Sequence, residues 1–368
     1  MKKILIVACD GLSKSGVPNV FMNIMRNMDK TQYSFDVLYF NKDLADYAEE
    51  IKQLGCRLIY SNLDEKKATK IGKLKVKKHT CRAIKAIIEE YGPYDCVHSF
   101  KDLDSAYVLK AAYKCGVSCR ISHMTFTYRK TKNPGINLIE NRERKMIAKY
   151  ADYIISDSTK TAKNNIPFSD KNIVVRNFCD SRFTFSELDK DVKPISLIQI
   201  GSFSFNKNQL FSILILKNLL KQYPQSVLHL IGFRNPDDLS YYDKIDNEIK
   251  NSHLENNVVF HDHDIDTNEL FKKCHYLLFP SLSESFGIVP VEAQTAGLSC
   301  FCSDTVTREN DCGGCTYLPL NELQKWVEEI TKDFESTKGK HRHFDLSGFS
   351  NNAIVEQYKL IYDNKYKK

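Results

Sequence analysis

The sequence predicts an α/β protein of two doubly wound domains, each built on a parallel sheet. Three observations lead to this prediction. At 368 residues the chain is longer than one hydrophobic core usually spans. Short apolar segments alternate with amphipathic segments, which is typical of strands that alternate with helices. A polar, turn-rich stretch at 177–194 divides this alternation into two series, so we expect two domains.

The first series predicts an N-terminal domain at 1–188. Its apolar segments predict strands at 4–9, 35–40, 57–60, 96–99, 118–123 and 153–156. Its amphipathic segments predict helices at 17–28, 44–54, 71–88, 106–114 and 138–151.

The second series predicts a C-terminal domain at 189–349. Here we expect strands at 195–201, 226–231, 257–260 and 276–279, and helices at 210–222, at 267–274 and from residue 321. A last helix, at about 350–366, follows the elements of the second sheet.

The charge of the chain is unevenly distributed. Residues 1–190 contain 34 Lys and Arg against 22 Asp and Glu, a net charge of +12, whereas residues 191–368 contain 19 against 24, a net charge of −5. The positive charge is densest at 66–85, within a basic amphipathic stretch. Two interpretations of this region remain open: a solvated helix face, or a surface that docks on an anionic membrane. Nucleic acid is disfavoured as a partner, because no binding motif is present and one domain holds the excess charge.

No targeting or spanning segment is predicted. The apolar part of residues 1–10 is too short for a signal peptide and ends in Asp10. No run approaches the 18 apolar residues of a transmembrane helix. The 12 cysteines, without a secretory signal, are consistent with a reducing cytoplasm.

The segment 280–293 (PSLSESFGIVPVEA) carries the strongest functional signal. It connects the strand at 276–279 to an amphipathic stretch at 288–295 that ends near Gly297. A helix that begins after a glycine turn offers unpaired N–H groups to an anion. Glu284 and Glu292 lie on either side of this turn, and carboxylates accept hydrogen bonds from sugar hydroxyls. The layout fits a nucleotide sugar. The alternative is a solvated Glu284 and a Glu292 that only favours the helix dipole.

Together with residues 293–304, this segment resembles the nucleotide-sugar site of retaining glycosyltransferases with the GT-B fold, in particular the large family 4. The resemblance implies two facing Rossmann-like domains around an interdomain cleft. It implies an acceptor domain at 1–188, which the C-terminal helix at 350–368 rejoins, and a donor domain at 189–349. It also implies transfer without a metal or any other cofactor.

The resemblance assigns roles to residues of this segment. Glu292 would hold the ribose hydroxyls, and Glu284 would hold the hydroxyls of the donor sugar at the reacting centre. The donor diphosphate would lie against the start of the helix, at Phe286, Gly287, Ile288 and Val289.

The second domain opens with Gly201 and Ser202, and Lys207 follows. Family members usually have Gly-Arg-x4-Lys here, with Arg and Lys neutralising the donor diphosphate. Lys207 matches this pattern, whereas Ser202 occupies the arginine position. A lysine supplies a point charge, but an arginine would add a bidentate clamp. Arg234 and Arg176 are the candidates for replacing it.

Three further segments match the family. Gly16 lies in a short loop after the first strand that resembles the glycine loop near the diphosphate. His123 ends the run Arg120-Ile-Ser-His, which resembles a motif whose histidine contacts the donor sugar; His98 is a weaker candidate for such a role. Residues 258–264 resemble the strand and loop beside the nucleotide base. Their clustered His and Asp residues also suggest a metal, which the resemblance disfavours.

Residues 303–311 resemble the Ser-Asp-x-Ile-Thr-x-Glu signature of bacterial exopolysaccharide and capsule glycosyltransferases. This implies retaining transfer of a hexose from a nucleotide sugar, a UDP-sugar in our prediction. The acceptor would be a lipid-linked oligosaccharide in surface polysaccharide synthesis, and the enzyme would be cytoplasmic, peripheral on the inner membrane face. The alternatives are a non-catalytic nucleotide-sugar-binding relative, or an epimerase or phosphorylase on the same fold.

Overall fold

The computed structural model describes residues 1–368 except 10, 14–15, 62–69, 129, 180, 190–194, 235–238, 263–264 and 367–368. For residues 70–78 it describes the backbone alone. The chain forms two compact units. The first comprises Met1–Phe178 and Phe349–Lys368, and the second comprises Cys179–Gly348. The boundary expected from the sequence, after residue 188, falls further along the chain, within the second unit.

The first unit contains a seven-stranded parallel sheet in the order β3-β2-β1-β4-β5-β6-β7. Its elements, in chain order, are β1 Lys2–Val7, α1 Gly16–Asn27, β2 Tyr33–Tyr39, α2 Ala48–Gln53, β3 Arg57–Tyr60, α3 Lys70–Tyr91, β4 Cys96–Ser99, α4 Ser105–Lys114, β5 Cys119–Met124, α5 Pro134–Tyr150, β6 Tyr153–Ser156, α6 Thr159–Asn165 and β7 Asn172–Val174.

The second unit contains a six-stranded parallel sheet in the order β10-β9-β8-β11-β12-β13. Its elements are β8 Ser196–Ile200, α7 Gln209–Leu219, β9 Val227–Ile231, α8 Ser240–Asn251, β10 Val258–His261, α9 Thr267–Phe271, β11 Tyr276–Phe279, α10 Val289–Ala296, β12 Ser299–Ser303, β13 Cys315–Leu318 and α11 Leu323–Thr337.

The final helix, α12 (Asn351–Tyr362), belongs to the first unit. Its aromatic side chains pack into the core of that unit. Tyr362 lies against Phe35 of β2, with ring centroids 6.1 Å apart, and Tyr358 stacks on Phe178 at 5.9 Å. Both tyrosines are about 1% exposed, so α12 contributes side chains to the core of this unit.

The predicted doubly wound architecture is confirmed, and the central strands of both sheets are buried on both faces. Every residue of β4, β6 and β11 is buried, including His98 and Ser99 of β4 and Ser156 of β6. The helix predicted at 44–54 is shorter than expected and begins only at Ala48. One local and one long-range hydrogen bond hold the preceding residues outside the helix. Asn41 accepts from the Asp43 N–H at 3.0 Å, and the Leu44 carbonyl accepts from Leu12.

Candidate donor site and the histidines of the first sheet

The connection from β11 to α10 has the predicted strand, turn and helix. Gly287 adopts a φ of +76°, a conformation that favours glycine, and Gly297 ends α10 with a φ of +104°. A Cβ atom on Gly287 would lie 2.8 Å from Cζ of Phe279. The turn therefore requires glycine both for its backbone and for its close approach to the last residue of β11.

Glu284 and Lys207 form an ion pair. Nζ of Lys207 donates to Oε1 of Glu284 at 2.6 Å, and the two side chains are 23% and 12% exposed. The aliphatic stem of Lys207 passes over Gly201, where an added Cβ would lie 3.2 Å from Cδ. Its ammonium lies 5.7 Å from the centre of the Phe279 ring. Three neighbours thus fix the position of the positive charge.

Backbone and amide hydrogen bonds join the loop after β8 to the loop after β11. Nδ2 of Asn206 donates to the Ser283 carbonyl at 2.8 Å, and the Leu282 N–H donates to the Asn206 carbonyl at 2.8 Å. Asn208 adopts a φ of +56° and donates to the Pro280 carbonyl at 3.3 Å. Because β8 and β11 are neighbouring parallel strands, their carboxyl ends bring these loops together.

The start of α10 presents free backbone donors. Within the described part of the chain, the N–H groups of Gly287, Ile288 and Val289 make no hydrogen bond. Glu292 lies in the first helical turn and is half-buried. Phe286, by contrast, is fully buried, so its side chain packs into the interior of the unit. An anion at this helix end would meet backbone amides rather than the Phe286 ring.

Asn310 and Gln294 support this turn from behind. Nδ2 of Asn310 donates to the carbonyls of Phe286 and Gly287 at 2.9 and 3.0 Å. Gln294 in turn donates to the Asn310 carbonyl at 3.0 Å and accepts from the Gly314 N–H at 2.9 Å. Both residues are at most 1% exposed. The sequence reasoning missed them, because a single buried amide gives no local signal.

Of the two arginines proposed to compensate for Ser202, Arg234 lies in the same unit. The Phe203 N–H donates to the Phe233 carbonyl at 3.0 Å. This hydrogen bond joins the residue after Ser202 to the residue before Arg234. Its guanidinium lies 4.3 Å from the centre of the Tyr242 ring and is exposed. Arg176 belongs to the first unit, where it lies over Phe349 at 5.2 Å.

In the first unit, His123 and His98 form a buried pair. Nε2 of His98 lies 3.2 Å from Nδ1 of His123, and the rings are nearly parallel, with an angle of 9°. Phe100 packs against both rings, at 4.4 and 4.6 Å. Neither histidine is exposed. Burial lowers the pKa of His123 to about 3 and lowers the pKa of His98 well below its usual value, so both rings are neutral.

Asp102 and Thr125 link the segments that follow β4 and β5. The Thr125 N–H donates to Oδ1 of Asp102 at 2.8 Å, and Asp102 adopts a φ of +47°. Burial raises the pKa of Asp102 to about 6, which the bonds from Thr125 partly oppose. A half-buried carboxylate beside the strand of His123 is a feature that the sequence reasoning did not identify.

The glycines after β1 have different surroundings. A Cβ on Gly11 would overlap Leu44, so Gly11 serves packing. Gly16, the predicted binding residue, begins α1, and apart from its chain neighbours no described residue has an atom within 4 Å of an added Cβ. Residues 14–15 of this loop lie outside the described residues. The open side of Gly16 leaves room for another molecule to approach the backbone.

The loop predicted beside the nucleotide base begins after β10. Nε2 of His261 lies 2.9 Å from Nδ1 of His229, and burial is the main cause that lowers the pKa of His229 to about 4. Residues 263–264, part of the predicted cluster, lie outside the described residues. No group of three or more His, Cys, Asp or Glu in the described part of the chain has the geometry of a metal site.

Comparison with known proteins relates the second unit to a family of glycosyltransferases. Residues 180–309 match the family model of glycosyl transferases group 1. The chain carries a glycosyltransferase domain. It is 26% identical over 356 residues to the "Putative glycosyltransferase EpsF" of Bacillus subtilis (strain 168), which covers 90% of this chain and 87% of that protein. The match places Lys207, Glu284 and Glu292 inside the transferase domain.

Solved structures confirm the GT-B fold over the whole transferase chain. Anabaena Alr3699/HepE, crystallised in complex with UDP and glucose, aligns with a TM-score of 0.75 at 16% identity and covers 99% of this chain and 98% of its own. A glycosyltransferase from Rickettsia africae ESF-5 aligns with a TM-score of 0.75 at 16% identity, covering 100% and 99%. None of the described helices combines the length and the apolar character that a membrane crossing needs.

The Gly287 turn gives a first prediction. Gly287→Ala should lower the free energy of unfolding by about 1–2 kcal/mol through its left-handed backbone, and further through overlap with Phe279. Gly313→Ala is the matched control, because Gly313 has a φ of +93° but nothing within 4 Å of its Cβ. Urea unfolding can be followed by the fluorescence of Trp326, the single tryptophan of the chain, which lies in the second unit. Equal losses in the two variants would refute a role for Phe279.

Proposed function

We propose that the protein is a retaining glycosyltransferase that moves a hexose from a UDP-sugar to a lipid-linked oligosaccharide. The reaction would take place at the inner face of the cytoplasmic membrane, in the synthesis of a bacterial surface polysaccharide. The observation that carries the proposal is the Lys207–Glu284 ion pair, which lies at the carboxyl ends of β8 and β11. It joins a cation for a diphosphate to an acceptor for sugar hydroxyls.

The departing nucleoside diphosphate gains negative charge as the bond to the anomeric carbon breaks. Lys207 and the N–H groups of Gly287, Ile288 and Val289 would stabilise that charge without reorganisation, because their positions are already fixed. Asn310 supports this role, since it holds the carbonyls of the turn and keeps the N–H groups oriented. The chemistry requires no metal in this proposal.

The two carboxylates would orient the donor. Glu292 would accept hydrogen bonds from the ribose hydroxyls, and Glu284 from the hydroxyls of the hexose. In the structure Lys207 neutralises Glu284, and the pair keeps the carboxylate from carrying an uncompensated charge beside the phosphates. His123 would contact the hexose, as the resemblance implies. The UDP and UDP-glucose found with HepE support a donor of this class.

The role of the Glu pair gives a second prediction. Glu284→Gln and Glu292→Gln should each lower kcat/KM about 10- to 150-fold, because hydrogen bonds to a charged group contribute about 1.5–3 kcal/mol. UDP release from a panel of UDP-hexoses, with membranes as the source of acceptor, measures this effect. Glu328→Gln is the control, because Glu328 is exposed in the same unit. Wild-type rates in both variants would contradict the donor site.

UDP release, combined with thermal unfolding and product analysis, separates the alternatives. Protection from thermal unfolding by UDP without UDP release would favour a non-catalytic binding protein. An epimerised UDP-sugar formed without acceptor would identify an epimerase, and dependence on phosphate would identify a phosphorylase. The anomeric configuration of the product, determined by NMR, tests retention.

The absent arginine gives a third prediction. We propose that Arg234 supplies the second positive charge. Arg234→Ala should weaken UDP binding about 5-fold, and raised salt should reduce this difference, since Arg234 is exposed and its charge is screened. Calorimetric titration with UDP at two salt concentrations measures it. Arg308→Ala is the control, because Arg308 is also exposed and lies over an aromatic ring, Tyr317, at 4.8 Å. Equal effects of the two variants would exclude a specific role.

Membrane contact through residues 66–85 gives a fourth prediction. Residues 66–69 lie outside the described residues, and the others belong to α3 and its basic sequence. Changing Lys66, Lys67, Lys73 and Lys75 to Gln should weaken binding to phosphatidylserine vesicles about 100- to 1,000-fold, at about 1 kcal/mol for each charge.

Co-sedimentation with such vesicles, compared with vesicles of phosphatidylcholine alone, is the measurement. The control replaces four lysines of the second unit by Gln: Lys217, Lys221, Lys250 and Lys325. If both variants lose the same affinity, the interaction depends on total charge and not on this helix.

A further inference from the structure

A buried chain of hydrogen bonds runs from α12 to the end of β5. The hydroxyl of Tyr362 lies 3.0 Å from Nδ1 of His98, and Nε2 of His98 lies 3.2 Å from Nδ1 of His123. All three side chains are at most 1% exposed. Nε2 of His123 ends the chain, and no described residue provides it with a hydrogen-bond partner.

The number of donors in this chain decides its direction. A neutral imidazole carries one N–H and one bare nitrogen, and a tyrosine hydroxyl has one proton to donate. Among the described residues, Nδ1 of His98 is the only hydrogen-bond partner of the Tyr362 hydroxyl. If Tyr362 donates to it, His98 carries its proton on Nε2 and donates to Nδ1 of His123. The proton of His123 is then on Nε2.

The opposite direction is less favourable. His123 would donate from Nδ1, and His98 would donate from Nδ1 to the Tyr362 oxygen. The hydroxyl proton of Tyr362 would then have no acceptor inside the core, in addition to the unpaired nitrogen of His123. A buried donor without a partner loses its hydration with nothing in exchange, so the first direction, with one unpaired group instead of two, is preferred.

We infer that Tyr362 and His98 are positioning residues that fix His123 as the tautomer with its proton on Nε2. Because this nitrogen is buried, its N–H can donate to an oxygen of the donor sugar only where donor binding uncovers it. The contact with the sugar rests on the proposed function, whereas the tautomer does not. Phe100 packs against both imidazoles and holds their rings nearly parallel, which fixes the orientation of the two histidines.

This assignment restricts what His123 does. With its proton on Nε2 and its Nδ1 occupied by His98, His123 has no free lone pair to accept a proton. It therefore acts as a neutral hydrogen-bond donor and not as a general base. Burial lowers the pKa of both histidines, which agrees with uncharged rings throughout the neutral range.

The fifth prediction concerns the tautomer itself. The full-length protein, labelled with ¹⁵N in its histidines, should show by long-range ¹H–¹⁵N NMR that His98 and His123 carry their protons on Nε2. Signals are assigned from the variants His98→Asn and His123→Asn. A wild-type His123 with its proton on Nδ1 would overturn the inference, whatever the behaviour of the variants.

Tyr362→Phe should leave His98 without its fixed donor, so that both tautomers of His123 become populated and kcat/KM falls about 2- to 12-fold. Tyr358→Phe is the matched control. Tyr358 is a buried tyrosine of the same helix, but its hydroxyl does not take part in the hydrogen bonds between Tyr362, His98 and His123. The control should keep the wild-type tautomer. If His123 kept the wild-type tautomer in Tyr362→Phe, the positioning role of Tyr362 would be overturned.

The NMR measurement needs neither donor nor turnover, so the two proposals fail separately. If His123 has the expected tautomer but no UDP is released, the positioning role of Tyr362 and His98 is supported and the proposed function is contradicted. If transfer is normal but His123 carries its proton on Nδ1, the proposed function is supported and the positioning role is contradicted.

Discussion

Parallel strand pairing is the constraint on which both candidate sites depend. All strands of a parallel sheet end at the same edge, so the loops that follow neighbouring strands meet there even when they are far apart in sequence. Lys207 and Glu284 are 77 positions apart, yet they form a short ion pair because β8 and β11 are neighbours. In the first unit the pairing of β4 with β5 brings His98 beside His123 in the same way.

Much of this arrangement could be predicted from the sequence, because its signals are local. The short segments of β4, β6 and β11 were predicted as strands with the observed bounds, and Gly297 marked the end of α10. Helix α6 was missed because its sequence, TKTAKNN, is polar and short. Its one local signal is Ser158, which caps its start. Helix α8 was missed although Tyr241, Ile245 and Ile249 recur at helical spacing.

Sequence motifs named the candidate site residues but gave no information on the contacts between them. The Glu pair and Lys207 could be proposed as candidates because each lies in a motif next to a strand end. That Lys207 binds Glu284, and that Asn310 holds the turn before α10, depends on tertiary contacts for which no local pattern exists. The neutral state of His123 likewise follows from burial among other side chains, which a strand-end histidine does not reveal by itself.

The return of α12 to the first unit has a consequence for synthesis of the protein on the ribosome. Residues 1–178 are synthesised before α12, so their core lacks Tyr358 and Tyr362 until α12 has been made. His98 therefore lacks its buried hydrogen-bond partner, Tyr362, while the whole second unit is translated. The nascent first sheet keeps an incompletely covered apolar face during that interval, which is the kind of surface that chaperones bind. Full assembly of this unit is coupled to synthesis of α12.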